Sequence, residues 1–173
     1  MNNWYMVTLV GRDQKGIVSR VTQALFDGGC NLGEASMMRL GGNFGVMLMV
    51  RSDADVSTLD SLIKPVADAL GLLVHIDLID GELHQHPQPN IEISVYGADK
   101  AGIVAEVTGL LAEAGLNIVD MQTVVAGSEE QPIYIMQIEG HSDEPIEKLL
   151  SAIEPITRQG IEVKINDIET MIG

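Results

Sequence analysis

The spacing of apolar residues along this chain changes period in a fixed order, and the same order occurs twice. Residues 4–10 are a mostly apolar run that stops at Gly11, the pattern of a buried strand. Ile17, Val18, Val21 and Leu25 then recur at helical spacing until Gly28-Gly29 ends the helix. Residues 31–40 predict a second strand, Gly41-Gly42-Asn43 a tight reversal, and 44–50 the returning strand. Asp53 or Asp55 is placed to cap a second helix, which has Val56, Leu59, Leu62, Ile63, Val66 and Leu70 on one face. Val74, Ile76 and Leu78 alternate with polar residues in a last strand.

From residue 91 the plan repeats. Residues 91–96 predict a strand, 102–114 a helix, and 117–125 with 133–138 a hairpin. Pro145 stands where a first-turn proline belongs, its helix ends near Gly160, and 161–165 alternate as the final strand. Pro65 and Pro155 both fall late in their helices and predict a kink or a tightened turn in each. Residues 7–36 and 93–122 align without a gap at an offset of 86, with ten of thirty positions identical. Among the identities are Gly11/Gly97, Asp13/Asp99, Gly16/Gly102, Ile17/Ile103 and Asn31/Asn117. Two copies of so long a period are two copies of a domain, not a stacked solenoid.

Strand–helix–strand–strand–helix–strand predicts an α+β chain of two ferredoxin-like βαββαβ domains. Each is a four-stranded antiparallel sheet with two helices on one face. The domains are expected at 1–80 and 91–173, joined by a linker at 81–90 that holds His84, His86, Pro87 and Pro89. Domains this small have modest cores and exposed sheet edges, so the halves are expected to pack together and two chains to form a homodimer.

The formal net charge is −15, unevenly spread: residues 1–83 carry six basic and ten acidic side chains, residues 84–173 four and fifteen. With no basic cluster to neutralise phosphates, direct nucleic-acid binding is not expected. No apolar stretch approaches the ~20 residues of a membrane-spanning helix. The N-terminus lacks the regions of a signal peptide, and the single Cys30 excludes an internal disulfide; a cytoplasmic location is the expectation.

The candidate chemistry lies in the loop Gly11-Arg12-Asp13-Gln14-Lys15-Gly16-Ile17-Val18, echoed by Gly97-Ala98-Asp99-Lys100-Ala101-Gly102-Ile103-Val104. Each joins the first strand to a helix N-terminus, where unpaired amides and the helix dipole favour an anion. The loop lacks the Gly-Lys-Ser/Thr ending of a phosphate-binding P-loop. An amino acid suits it: the carboxylate could meet the amides and the ammonium Asp13 or Asp99. Each Asp can instead be an N-cap that accepts from the amide near Gly16 or Gly102. Asn31 and Asn117 open the second strands and can offer a donor and an acceptor to a ligand, or bond their own backbone in a turn.

The Asp-x-x-Gly-Ile-Val loop, the Gly-x-Asn at the second strand and the βαββαβ order resemble the ACT domain, a regulatory module that senses amino acids. The resemblance covers nearly the whole chain, twice. Two such domains in tandem, with the stretch Gly28-Gly29-Cys30-Asn31-Leu32-Gly33-Glu34-Ala35-Ser36, are similar to the glycine cleavage system transcriptional repressor family. That resemblance implies a ligand between the first loop of one domain and the start of the second strand of its neighbour. Carried onto this sequence, it picks out Asp13, Gly16, Ile17 and Asn31, with Asp99, Gly102, Ile103 and Asn117, as ligand-binding residues. It implies a small amino acid, glycine or serine first, and a protein partner such as a DNA-binding activator.

Other groupings are weak. His84-x-His86 has no nearby Cys to complete a metal site, Cys30 has no adjacent His to make it a nucleophile, and His75 is expected on the outer face of its sheet. Met37, Met38, Met47 and Met49 suit packing at a core or interface. No cofactor, metal or catalytic residue is expected. Similar domains precede the catalytic parts of formyltetrahydrofolate deformylases and phosphoserine phosphatases. The second copy takes up residues 81–173, however, and no Asp-x-Asp-x-Thr motif follows. The expectation is a non-enzymatic regulator; the alternative is a subunit or free-standing module that controls an amino-acid or one-carbon enzyme.

Overall fold

A computed structural model describes residues 3–79, 87–98, 101–128 and 131–168. Contacts divide the chain into two compact units, Met1–Gln85 and His86–Gly173. The first runs β1 (Asn3–Arg12), α1 (Ile17–Asp27), β2 (Asn31–Leu40), β3 (Asn43–Ser52), α2 (Val56–Leu70) and β4 (Leu73–Ile79). Its antiparallel sheet has the order β2-β3-β1-β4. The second runs β5 (Ile91–Ala98), α3 (Ile103–Glu113), β6 (Asn117–Ser128), β7 (Gln131–His141), α4 (Ile146–Ala152), α5 (Glu154–Thr157) and β8 (Glu162–Asp167), in the order β6-β7-β5-β8. Both sheets therefore have the ferredoxin-like topology, and each unit closes on its own core.

Alternation along the central strand fixes which face is covered. Tyr5, Val7 and Leu9 of β1 are at most 2% exposed and meet Ile17, Val21 and Leu25 of α1 and Leu59, Ile63 and Ala67 of α2. The matching set in the second unit is Ile91, Ile93 and Val95 with Ile103, Val107, Leu111, Leu149, Ile153 and Ile156. Burying each such side chain contributes about 1.5–3 kcal/mol, so these two clusters dominate the stability of their units. Cys30 is buried in the first cluster. His75 pairs in register with Thr8 on the outer face, largely exposed, with Nε2 2.8 Å from Asp77. Gly41 and Gly42 both take positive φ, as a two-residue hairpin turn of the primed type requires.

The two prolines behave differently. α2 runs continuously for 15 residues through Pro65, whereas its counterpart is divided at Ile153 into helices of 7 and 4 residues, with Pro155 in the first turn of the second. Both segments bury matching side chains ahead of their prolines, Leu59 and Ile63 in α2 and Leu149 and Ile153 in its counterpart, but only α2 has a side-chain N-cap. Pro145 sits one position before the helix, in extended conformation, not within the first turn. The second hairpin is also longer than its apolar residues suggest, because the ladder continues through Gly127↔Pro132.

Asp55, not Asp53, caps α2, accepting from the Thr58 amide at 2.8 Å. Hydrogen bonding to Thr58, through its side chain and then its amide, holds the Asp55 carboxyl below its usual value of 3.8. A carboxyl lowered in the folded state contributes stability that is present above the unfolded value and is lost as pH falls through the folded one. Asp55→Ala should therefore lower the melting temperature at neutral pH, and the gap from wild type should close as pH drops below about 4. Thermal melts at pH 7 and pH 3 check this; a pH-independent gap would remove the cap from the explanation.

Candidate ligand site

Gly16 is the N-cap of α1, in left-handed conformation at φ 85°, and no side chain caps this helix. The conformation costs a glycine little and turns the first-turn amides of Ile17, Val18 and Ser19 outward, where a helix has no internal partners for them. Gly102 does the same for α3 at φ 88°. Ile17 and Ile103 are buried, so their side chains anchor the helix starts in the cores.

The approach loop of the first unit is tied on both sides. The Asp13 amide donates to the Gly42 carbonyl at 3.0 Å, and Gln14 Nε2 donates to the Leu70 carbonyl at 2.7 Å. The Asp13 carboxylate does not cap α1. Arg39 of β2 donates to its Oδ2 from Nε at 2.7 Å and also from Nη2. Both bonds use one oxygen, so Oδ1 and the remaining guanidinium N–H groups are left for another molecule. Arg39 is 68% exposed, and an exposed ion pair contributes at most about 1 kcal/mol to folding. Its consequence is local: an anion and a cation held side by side at the mouth of a helix N-terminus. Around them is an open cleft of about 480 Å³ bounded by the loop, the start of α1, Met37, Arg39 and Phe44.

Arg39 is the residue that sequence reasoning missed. It stands opposite Phe44, a core residue, and therefore on the helix side of the sheet. A charged residue at a core-side position, counted back from the Gly41-Gly42 turn, was the available signal.

Asn31 is exposed at the first position of β2, opposite Arg51, in the row of Trp4. The Asp13 loop follows Arg12, eight residues further along β1. At ~3.3 Å per residue the two ends are about 26 Å apart, so a single copy of the domain cannot close both on one small ligand. Asn117, opposite His141, stands at the same end of the second sheet, away from Gly102 and Ile103. Asp99, with His84 and His86 of the linker, lies outside the described residues. Among the described residues no three His, Cys, Asp or Glu side chains gather as metal ligands would.

The outer faces of the two sheets differ in character. In the first, Met38, Leu40, Met47, Val10 and Leu73 are exposed on the face away from the helices. In the second, Glu92, Glu139 and Asp120 form a row across three strands with Ser94, Gln122 and Gln137 beside them.

Comparison with known proteins matches the ACT domain model to residues 4–77 and again to 91–166. The chain belongs to the ACT domain family. A glycine cleavage system transcriptional repressor of Escherichia coli (strain K12) is 24% identical over 143 residues, covering 81% of this chain and 75% of the relative. Two crystal structures share the tandem fold over nearly the full length of both chains. An unknown protein from Galdieria sulphuraria superposes with a TM-score of 0.78 at 22% identity, covering 97% of this chain and 99% of that one. A candidate glycine cleavage system transcriptional repressor superposes with a TM-score of 0.72 at 18% identity, covering 98% and 99%. The chain is thus a tandem ACT-domain protein related to a transcriptional repressor. Among the described residues no helix is long and apolar enough to cross a membrane.

Proposed function

We propose that this ACT-domain protein is a non-enzymatic, cytoplasmic regulator that binds a small amino acid, glycine or serine first, and controls a DNA-binding activator by protein–protein contact. The observation that carries the reading is the Asp13–Arg39 pair beside the open amides of α1. A zwitterion carries a cation and an anion side by side, as this site carries an anion and a cation. The ligand ammonium would take Asp13 Oδ1, and the carboxylate would take Arg39 and the amides at Gly16 and Ile17, by charge-assisted bonds. Asn31 and Asn117 serve this reading only from a domain other than the one whose loop holds the ligand.

The partner side has independent support. A net charge of −15 opposes direct contact with DNA phosphates, so an effect on transcription has to pass through another protein. The methionine-bearing outer face of the first sheet is an apolar surface of the adaptable kind found at protein contacts. The outer strands β2 and β4 are edges at which a second chain can pair, in line with a homodimer.

Thermal-shift and calorimetric titration of the full chain with each of the twenty amino acids test the ligand. Glycine or serine should raise the melting temperature in proportion to the logarithm of concentration above Kd. No shift and no heat with any of them would overturn the amino-acid reading.

A further inference from the structure

The two copies of the domain serve as internal controls for each other, and their loop ends have diverged in charge. The offset of 86 that aligns the loops also holds along the second strands, because both carry one extra residue at the same place, between Leu32 and Ala35 and between Ile118 and Asp120. Position 39 therefore corresponds to 125. Arg39 stands opposite Phe44, and Val125 stands opposite the aromatic Tyr134 that matches it. The guanidinium that grips Asp13 in the first unit is replaced by a side chain with no donor.

A second difference lies at the helix starts. Arg20, whose amide begins the α1 ladder by donating to Gly16, corresponds to Glu106, whose amide donates to Gly102 in the same way. Glu106 places a carboxylate in the first turn of α3, whereas α1 has no acidic residue in its first turn. It also accepts from Gln159 at 2.8 Å, which keeps it near the helix. The loop lysine persists, shifted by one position from Lys15 to Lys100. Over these positions the first unit has Lys15, Arg20 and Arg39 against Asp13, and the second has Lys100 against Asp99 and Glu106. One loop end is cationic within a strongly acidic chain; the other is anionic.

We propose that the chain carries one amino-acid site, in the first unit, with Arg39 as the residue that selects the ligand carboxylate. The second unit keeps the fold and has lost the recognition of that carboxylate. This inference rests on the amino-acid reading given above. The carboxylate of an incoming zwitterion gains two donors from Arg39 in the first unit. In the second it meets Val125 and is repelled by Glu106, which already complements the dipole of α3.

The test is calorimetry with glycine and with serine on the full chain, together with amide spectra. Binding should show one equivalent per chain, with shifts at the amides of Ile17, Val18 and Ser19 and none at Ile103, Val104 and Ala105. Arg39→Val, which copies the second unit into the first, should weaken binding about ten- to a hundredfold, the range set by a hydrogen bond to a charged group. Its melting temperature should stay close to wild type, because the ion pair is exposed. Arg39→Lys should retain part of the affinity. Two equivalents per chain, or undiminished binding by Arg39→Val, would overturn the single-site inference and leave the amino-acid reading standing. Absence of heat with every amino acid would overturn that reading and the inference with it.

Discussion

Leu25→Ala and Leu111→Ala should each destabilise the unit that contains them by about 3 kcal/mol, within the 2–5 kcal/mol range for emptying a leucine site in a core. The two leucines occupy the same position of the repeat, both are 0% exposed, and each belongs to the core cluster of its own unit. The size of the effect follows from two contributions. Lost transfer energy accounts for part, and the remainder comes from a cavity that close-packed neighbours fill only partly. A unit of roughly 80 residues has about 4–12 kcal/mol of total stability, at ~0.05–0.15 kcal/mol per residue. One substitution thus removes a quarter or more of it. Urea titration followed by circular dichroism gives the comparison. Costs below about 1 kcal/mol at either position would mean that the clusters are looser than their burial indicates.

Gly16→Val should lower stability by about 1–2 kcal/mol and abolish amino-acid binding at the first unit, because a β-branched residue cannot hold φ 85° without strain. Nothing lies within 4 Å of a Cβ placed at Gly16, so the cost is one of backbone conformation and not of collision. Relief of that strain rotates the Ile17 and Val18 amides away from the cleft. Gly102→Val is the matched control: its φ is 88°, its surroundings are equally open, and its stability cost should be the same. Its effect on glycine or serine binding should be nil if the first unit holds the only site. Calorimetry with each variant, at a temperature where both are folded, separates the backbone cost from the ligand effect. Full binding by Gly16→Val would show that the α1 amides are not ligand contacts.

Much of the fold is written in the chain because local and global preferences agree there. Val74, Ile76 and Leu78 alternate as a half-covered strand must, Gly41-Gly42 has the chemistry of its turn, and the repeat supplies each element twice. The misreadings have physical causes. Gly127, Ser128 and Pro132 have the composition of a loop, but pairing between β6 and β7 carries them into the sheet. Pro65 and Pro155 look alike in sequence, yet the helix runs on through the first and divides next to the second. The loop glycines and the Ile at each helix start were legible because their spacing is fixed by the turn itself. The partner of Asp13 was harder to read, since Arg39 is 26 residues away and only its core-side place, counted back from the turn, marks it.

The extra residue in β2 explains both why that strand is hard to read and where its length can vary. Leu32 stands opposite Val50 and Ala35 opposite Leu48, so Gly33 and Glu34 share Met49 and alternation changes phase between them. Counting odd and even positions from Asn31 therefore assigns Arg39 to the wrong side. The hairpin, not the strand's beginning, sets the orientation of everything after the irregularity. Loss of one residue at 33–34 leaves the ladder on either side in register, whereas loss of one between Ala35 and Met38 forces the strand to turn over from that point. Each domain thus has one joint in this strand at which a one-residue change of length can enter without turning the rest over, and in the second domain it lies at Val119.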